Sequence, residues 1–160
     1  MVAAMTAVRK SGKTRDYSLA EACGVLWARF GGHPLPNIAQ PVVDPAPGHG
    51  LQDRDDIHWI TIGEGDTDVP VDILQTDLNP DSIDYVISLG PDRNLNAWLT
   101  EVCRVSKNAA VLLPVTTLTS KGRWDLLAAE TPEVVIFGEN SKWAWFLFGD
   151  WREPGRWSLV

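Results

Sequence analysis

Cysteine, histidine and methionine are scarce in this 160-residue chain, with two, three and two copies respectively. Cys23 and Cys103 stand far apart without a Cys-x-x-Cys pairing, which argues against a disulfide framework and for a reducing compartment. His33, His49 and His58 are scattered without metal-ligand spacing, so no zinc centre is expected. Long apolar runs are missing as well. Nowhere do 18 apolar residues run together, and residues 1–10 carry no signal-type apolar stretch, so neither a membrane span nor secretion is expected. The expected location is the cytoplasm, or the host cytoplasm for a viral protein. Positive charge is in deficit too: 14 Lys and Arg face 21 Asp and Glu, a net charge of −7. Bulk electrostatics therefore repel nucleic acid, and any polyanion would need a local basic patch.

What is present is a hydrophobic content of 44%, enough for one core, and eight tryptophans, four of them among the last 18 residues. Residues 1–16 read as a flexible basic arm holding Arg9, Lys10, Lys13 and Arg15. Ser18 followed by Glu21 forms a capping box before Leu19, Cys23, Leu26, Trp27 and Phe30, which recur at helical spacing over about 18–30. Apolar runs bounded by Gly, Pro, Asp or Asn predict strands at Val42-Val43, Ile57 to Ile62, Val69 to Leu74, Ile83 to Leu89, Ala110 to Val115, Val134 to Phe137 and Trp143 to Phe148. Helical spacing reappears at Leu95, Trp98, Leu99, Val102 and Cys103, with Asn94 placed to cap and Lys107-Asn108 placed to terminate. A third helix is expected over 120–130, with Trp124, Leu127 and Ala128 on one face. This alternation predicts one α/β domain over 17–150 whose sheet is mostly parallel and closes with an antiparallel hairpin, followed by a Trp-containing tail over 151–160.

Several segments end where open α/β sheets bind ligands. Asp44-Pro45 leads into Gly48-His49-Gly50, and Glu64 follows the Trp59 to Gly63 run. Glycines let a backbone approach a ligand, and an acid after a strand suits the hydroxyls of a ribose. Each feature alone is equally a tight turn or a solvated carboxylate. A competing pattern, Ala7 to Thr14 with Gly12-Lys13-Thr14, resembles a relaxed phosphate loop, but the strand such a loop requires is weak here. Trp143 and Trp145 share a strand face by period two, whereas Trp151 and Trp157 lie in a polar segment and would, if exposed, suit a protein partner.

Taken together, Val42 to Gly50, Glu64, Asp77, Asp84 to Pro91, Trp98 to Arg104 and Ala110 to Thr116 resemble a class I S-adenosylmethionine-dependent methyltransferase, closest to the small phage-type DNA adenine methyltransferases. The resemblance covers roughly residues 14–150. It implies a Rossmann-like sheet with pared-down helices and S-adenosylmethionine as cofactor. Asp44, Pro45, Gly48 and Gly50 would meet its methionine end, Glu64 its ribose and Asp77 its adenine amine. It also implies methyl transfer to a nucleic-acid base amine at Ser88 and Pro91, within Ser88-Leu89-Gly90-Pro91. The family carries Asp/Asn-Pro-Pro-aromatic at that place, so the aromatic that would stack on a flipped base is lacking, and Trp98 or a C-terminal tryptophan is its only substitute. Phosphate contacts would fall to Arg9, Lys10, Lys13, Arg15, Arg152 and Arg156. The altered tetrapeptide and the Trp-rich end support an alternative, a methyltransferase-like binding or assembly protein without catalysis, for example a viral one.

Overall fold

The computed structural model describes residues 9–10, 13–14, 17–30, 41–47, 51, 57–91 and 93–160. Gly48, His49, Gly50, Arg15 and His33 lie outside the described residues. The basic arm contributes two short strands, β1 (Arg9–Lys10) and β2 (Lys13–Thr14), paired antiparallel.

Helix α1 (Leu19–Arg29) starts as its sequence requires, with the Ser18 hydroxyl accepting the Glu21 N–H at 3.0 Å. The main sheet holds β3 (Val42–Asp44), β4 (Trp59–Thr61), β5 (Ile83–Ser88), β6 (Ser106–Pro114), β7 (Glu133–Phe137), β8 (Trp143–Gly149) and β9 (Trp157–Leu159). Their spatial order is β4-β3-β5-β6-β8-β7-β9. The β4, β3, β5 and β6 strands run parallel to one another, β8 is antiparallel to both β6 and β7, and β9 is parallel to β7. The fold is thus α/β with a seven-stranded mixed sheet, and the expected closing hairpin is β7–β8. Within the segment read as a tail, Trp157–Leu159 adds the edge strand next to β7.

Side chains alternate across the sheet and divide the core in two. On one face Ala109, Val111 and Leu113 of β6 with Phe146 and Phe148 of β8 pack under Trp98, Leu99 and Val102 of α2 (Leu95–Val105). On the other, Ala110 and Leu112 with Trp145 and Leu147 pack against Ala22, Leu26 and Trp27 of α1. Trp145 is fully buried there, and its indole N–H donates to the Ala22 carbonyl at 2.7 Å.

Four local expectations are corrected. Val69 to Leu74 is not a strand: only the Ile62–Val69 bridge forms, Pro70 has no N–H to offer a ladder, and Asp72 caps a turn of 3-10 helix at Ile73–Gln75 by accepting the Leu74 N–H at 2.9 Å. Asn94 precedes α2 in a left-handed conformation (φ 56°) and makes no side-chain cap. The second helix ends earlier than Lys107-Asn108. Ser106 turns the chain straight into β6, its hydroxyl donating to the Val102 carbonyl at 2.6 Å. The third helix begins with a 3-10 turn at Lys121–Arg123 and is helical only over α3 (Trp124–Glu130), where Trp124 faces solvent.

Two buried features tie the sheet's far side together. Glu133, fully buried at the start of β7, receives Arg29 in a bidentate pair, Nε–Oε1 2.5 Å and Nη2–Oε2 2.8 Å, and also accepts the Glu153 N–H at 2.8 Å. Burial alone would raise this carboxyl, but the hydrogen bonds from Arg29 and the Glu153 N–H, with the charges of Arg29 and Arg156, hold it below the usual range. Trp151 lies against Phe30 and Tyr85 and donates its indole N–H to the Ala109 carbonyl at 3.2 Å. It acts as an internal staple, and Trp157 is the exposed tryptophan of this end.

Candidate functional site

From β3 the chain crosses to β4 on one side, and from the adjacent β5 it crosses to β6 on the other, so the connections leave the neighbouring carboxyl ends of β3 and β5 in opposite directions. Open α/β sheets place ligands in a crevice at such a reversal. A cleft of about 620 Å³ lies there, within the range of small-molecule sites. Pro45, Ala46 and Pro47 after β3 form one wall, and Gly63 and Glu64 after β4 form the next. Asp72 and Leu74 of the β4–β5 connection, then Pro91, Arg93 and Asn94 between β5 and α2, complete the rim, with Trp98 beneath. The Trp98 indole donates to the Pro45 carbonyl at 3.3 Å, so α2 is pinned to the turn that follows β3. Gly63 approaches so closely that a Cβ there would lie 3.2 Å from Pro47 Cδ.

Of the residues singled out by sequence, Pro45, Glu64 and Pro91 line this cleft. Asp44 does not line it. It is fully buried, and one carboxylate oxygen accepts the Ala46 N–H at 3.0 Å, shaping the turn that presents Pro45. Ser88 is also fully buried, its hydroxyl accepting the Gly90 N–H at 3.2 Å. The Ser88 to Pro91 segment is therefore a closed turn, with Gly90 at φ 78° where other residues are strained. Asp77 is exposed, lies within electrostatic reach of Arg104 and is not among the cleft residues. Besides Glu64, the acid that the β4–β5 connection brings to the cleft is Asp72. Sequence reading missed it because it took Val69 to Leu74 for a strand. Pro70 and the Asp72-x-Leu74 capping spacing were the signals available.

Of the cations offered for phosphate, Arg152 and Arg156 are engaged within the fold. Arg152 donates to the Gly149 carbonyl at 2.6 Å and the Thr131 carbonyl at 3.1 Å, and Arg156 pairs with Glu153 at 2.6 Å. Cys103 is not a nucleophile at neutral pH: burial pushes its thiol up to about 12, Glu130 adding to the shift and Arg152 opposing it. Among the described residues no cluster of three or more His, Cys, Asp or Glu could hold a metal ion, and no helix is long and apolar enough to cross a membrane. No protein-family model matches the chain, and no curated protein matches it.

Proposed function

We propose that the cleft binds S-adenosylmethionine and that the protein is a methyltransferase of the class I type, acting on a nucleic-acid base amine, with adenine in DNA the first candidate. The single observation that carries this reading is the position of the cleft, at the sheet's reversal point with Glu64 just beyond the end of the adjoining strand β4. The residues present suit the cofactor. A carboxylate accepts two hydroxyl hydrogen bonds, so Glu64 fits a ribose, and Asp72 fits an adenine amine. Pro91, Leu74 and Trp98 supply apolar wall for the rest. The mostly parallel order closed by the β7–β8 hairpin supports a Rossmann-like methyltransferase sheet.

When bound, the cofactor supplies a sulfonium methyl that passes to an amine lone pair as its C–S bond breaks, the amine proton leaving to water. The chain's own contribution is alignment. Asp44 and Trp98 fix the turn at Pro45 from two sides, and the closed Ser88–Gly90 turn holds Pro91 at the rim. A second reading, cofactor binding without transfer, is favoured by Ser88: its hydroxyl is buried and engaged by Gly90, so a target amine lacks the acceptor that the sequence offered.

Calorimetry with S-adenosylhomocysteine tests the cleft, and methyl incorporation into adenine-containing DNA separates the two readings. One-site binding is expected, weakened roughly tenfold, about 1.4 kcal/mol, by Glu64→Gln. Absence of saturation at millimolar ligand refutes both.

A further inference from the structure

The main sheet has two edges, β4 and β9, and the chain treats them differently. An edge strand offers unpaired N–H and C=O groups to any other strand, and folded proteins blunt such edges with charge, proline or a covering segment. At β4 a covering is in place. The Thr61 N–H donates to the Asp68 carboxylate at 2.8 Å, and the Thr61 carbonyl accepts the Val69 N–H at 3.0 Å. At β9 none of these devices is found among the described residues. Trp157-Ser158-Leu159 holds no charge and no proline, and the Arg156 guanidinium just before it is engaged by Glu153 at 2.6 Å.

The bonds that β9 makes to β7 show which of its groups are left over. The Arg156 carbonyl accepts the Val134 N–H at 2.9 Å, and the Val160 N–H donates to the Ile136 carbonyl at 3.0 Å. Alternate residues of a strand bond to the same neighbour, so the N–H and C=O of Trp157 and Leu159 point to the open side. Their side chains stand on the sheet face of Val134 and Ile136, with which they register. Both are uncovered: Trp157 is 61% and Leu159 71% exposed, and with Val160 they are three of the five large hydrophobic residues exposed in the described chain.

We infer that β9 is a self-association edge, pairing antiparallel with β9 of a second copy about a two-fold axis at Ser158. The spacing makes this edge self-complementary. Trp157 exchanges both backbone bonds with the partner's Leu159, the axis repeats the exchange, and every outward group of both strands finds a partner. Each indole then lies beside a leucine across the strands, a stabilising cross-strand pair. The area suffices for a weak dimer. Trp157 leaves about 150 Å² uncovered, and Leu159 with Val160 adds about as much again. Two copies therefore bring about 600 Å² of apolar surface, which at about 60% apolar content corresponds to an interface of about 1,000 Å², the lower bound for a specific contact. The net charge of −7 on each copy opposes approach, but the contact itself is uncharged, so salt should screen the repulsion and tighten the dimer. The inference holds whatever the cleft binds.

Sedimentation velocity of the whole protein from about 1 to about 500 µM tests it. A monomer–dimer equilibrium with a Kd of tens of micromolar is expected, tighter as salt is raised. Leu159→Pro removes an outward N–H and leaves the bonds to β7 in place, and Leu159→Lys sets a charge against the partner's Trp157 while keeping the backbone intact. Each should weaken association at least about tenfold, with circular dichroism of the dilute protein unchanged. Ser158→Cys tests the axis: across it the two Cα atoms lie about 4.5 Å apart, within disulfide reach, so mild oxidation should cross-link this variant, reversibly by reductant, and not the parent protein. A chain that stays monomeric throughout overturns the inference and leaves the edge to a strand of another protein. Dimerisation indifferent to both Leu159 substitutions, or a dimer that the thiol of Ser158→Cys fails to lock, overturns it as well.

Discussion

Arg29→Met removes one half of the ion pair that joins α1, β7 and the turn before β9. It leaves the fully buried Glu133 carboxylate with the Glu153 N–H as its remaining described donor. Breaking a buried pair from one side costs about 3–5 kcal/mol. Arg29 keeps 23% of its side chain in solvent, so screening places the expected loss at the lower end, about 3 kcal/mol. For a chain of this size that corresponds to a fall in Tm of about 9 °C. The pH dependence gives a sharper test. In the native protein the Glu133 carboxyl lies below its unfolded value. Its contribution is therefore complete above the unfolded value, about 4.3, and is lost as pH falls through the folded value. In the variant, burial without the guanidinium raises the same carboxyl, so the folded state retains a proton that the unfolded chain releases, and stability declines as pH rises past about 4.3. The gap between the two proteins should thus be small at pH 4 and reach its full size near pH 7. Urea unfolding followed by tryptophan fluorescence at pH 4, 5.5 and 7 measures it directly. Adding Glu133→Gln to Arg29→Met should recover about half the loss at pH 7, because the amide oxygen still accepts the Glu153 N–H without a buried charge. A gap below about 1 kcal/mol at pH 7, or one constant with pH, would refute the reasoning.

Three further outcomes are expected. Gly149→Ala should cost about 3 kcal/mol or prevent folding, read by urea unfolding, since Gly149 has φ 89° and a Cβ there would sit 1.9 Å from the Lys107 carbonyl oxygen. Trp145→Phe should lose about 2 kcal/mol by leaving the buried Ala22 carbonyl without its indole donor; a thermal melt unchanged within 2 °C would contradict this. Cys103 should react with a thiol reagent at pH 8 at least about tenfold more slowly than an exposed thiol, and at the ordinary rate after denaturation in urea, because its thiol is raised to about 12 by burial.

Much of the fold is legible locally. The Ser18–Glu21 cap and the helical spacing that follows it lie within a few residues of each other, and α1 forms where they indicate. The apolar runs at Ile83 to Leu89 and Ala110 to Val115 become buried central strands, because only a strand covered on both faces tolerates unbroken hydrophobicity. Glu64, Pro45 and Pro91 of the cleft were legible for a similar reason: each stands just after such a run, where a parallel strand must end.

Other features depend on partners distant in sequence, which no local pattern contains. Glu133 reads as an ordinary polar residue before a strand until Arg29, 104 positions away, is brought to it. Trp151 and Trp157 look alike in the chain, yet one is locked by the Ala109 carbonyl and the other is left exposed, because β9 takes the edge of the sheet. Composition and periodicity determined that this is an α/β chain with its ligand-type residues at strand ends. Strand order decided which of those ends converge, turning Asp72 toward the cleft and leaving Asp77 outside it, since register and crossover are set by the packing of the whole sheet.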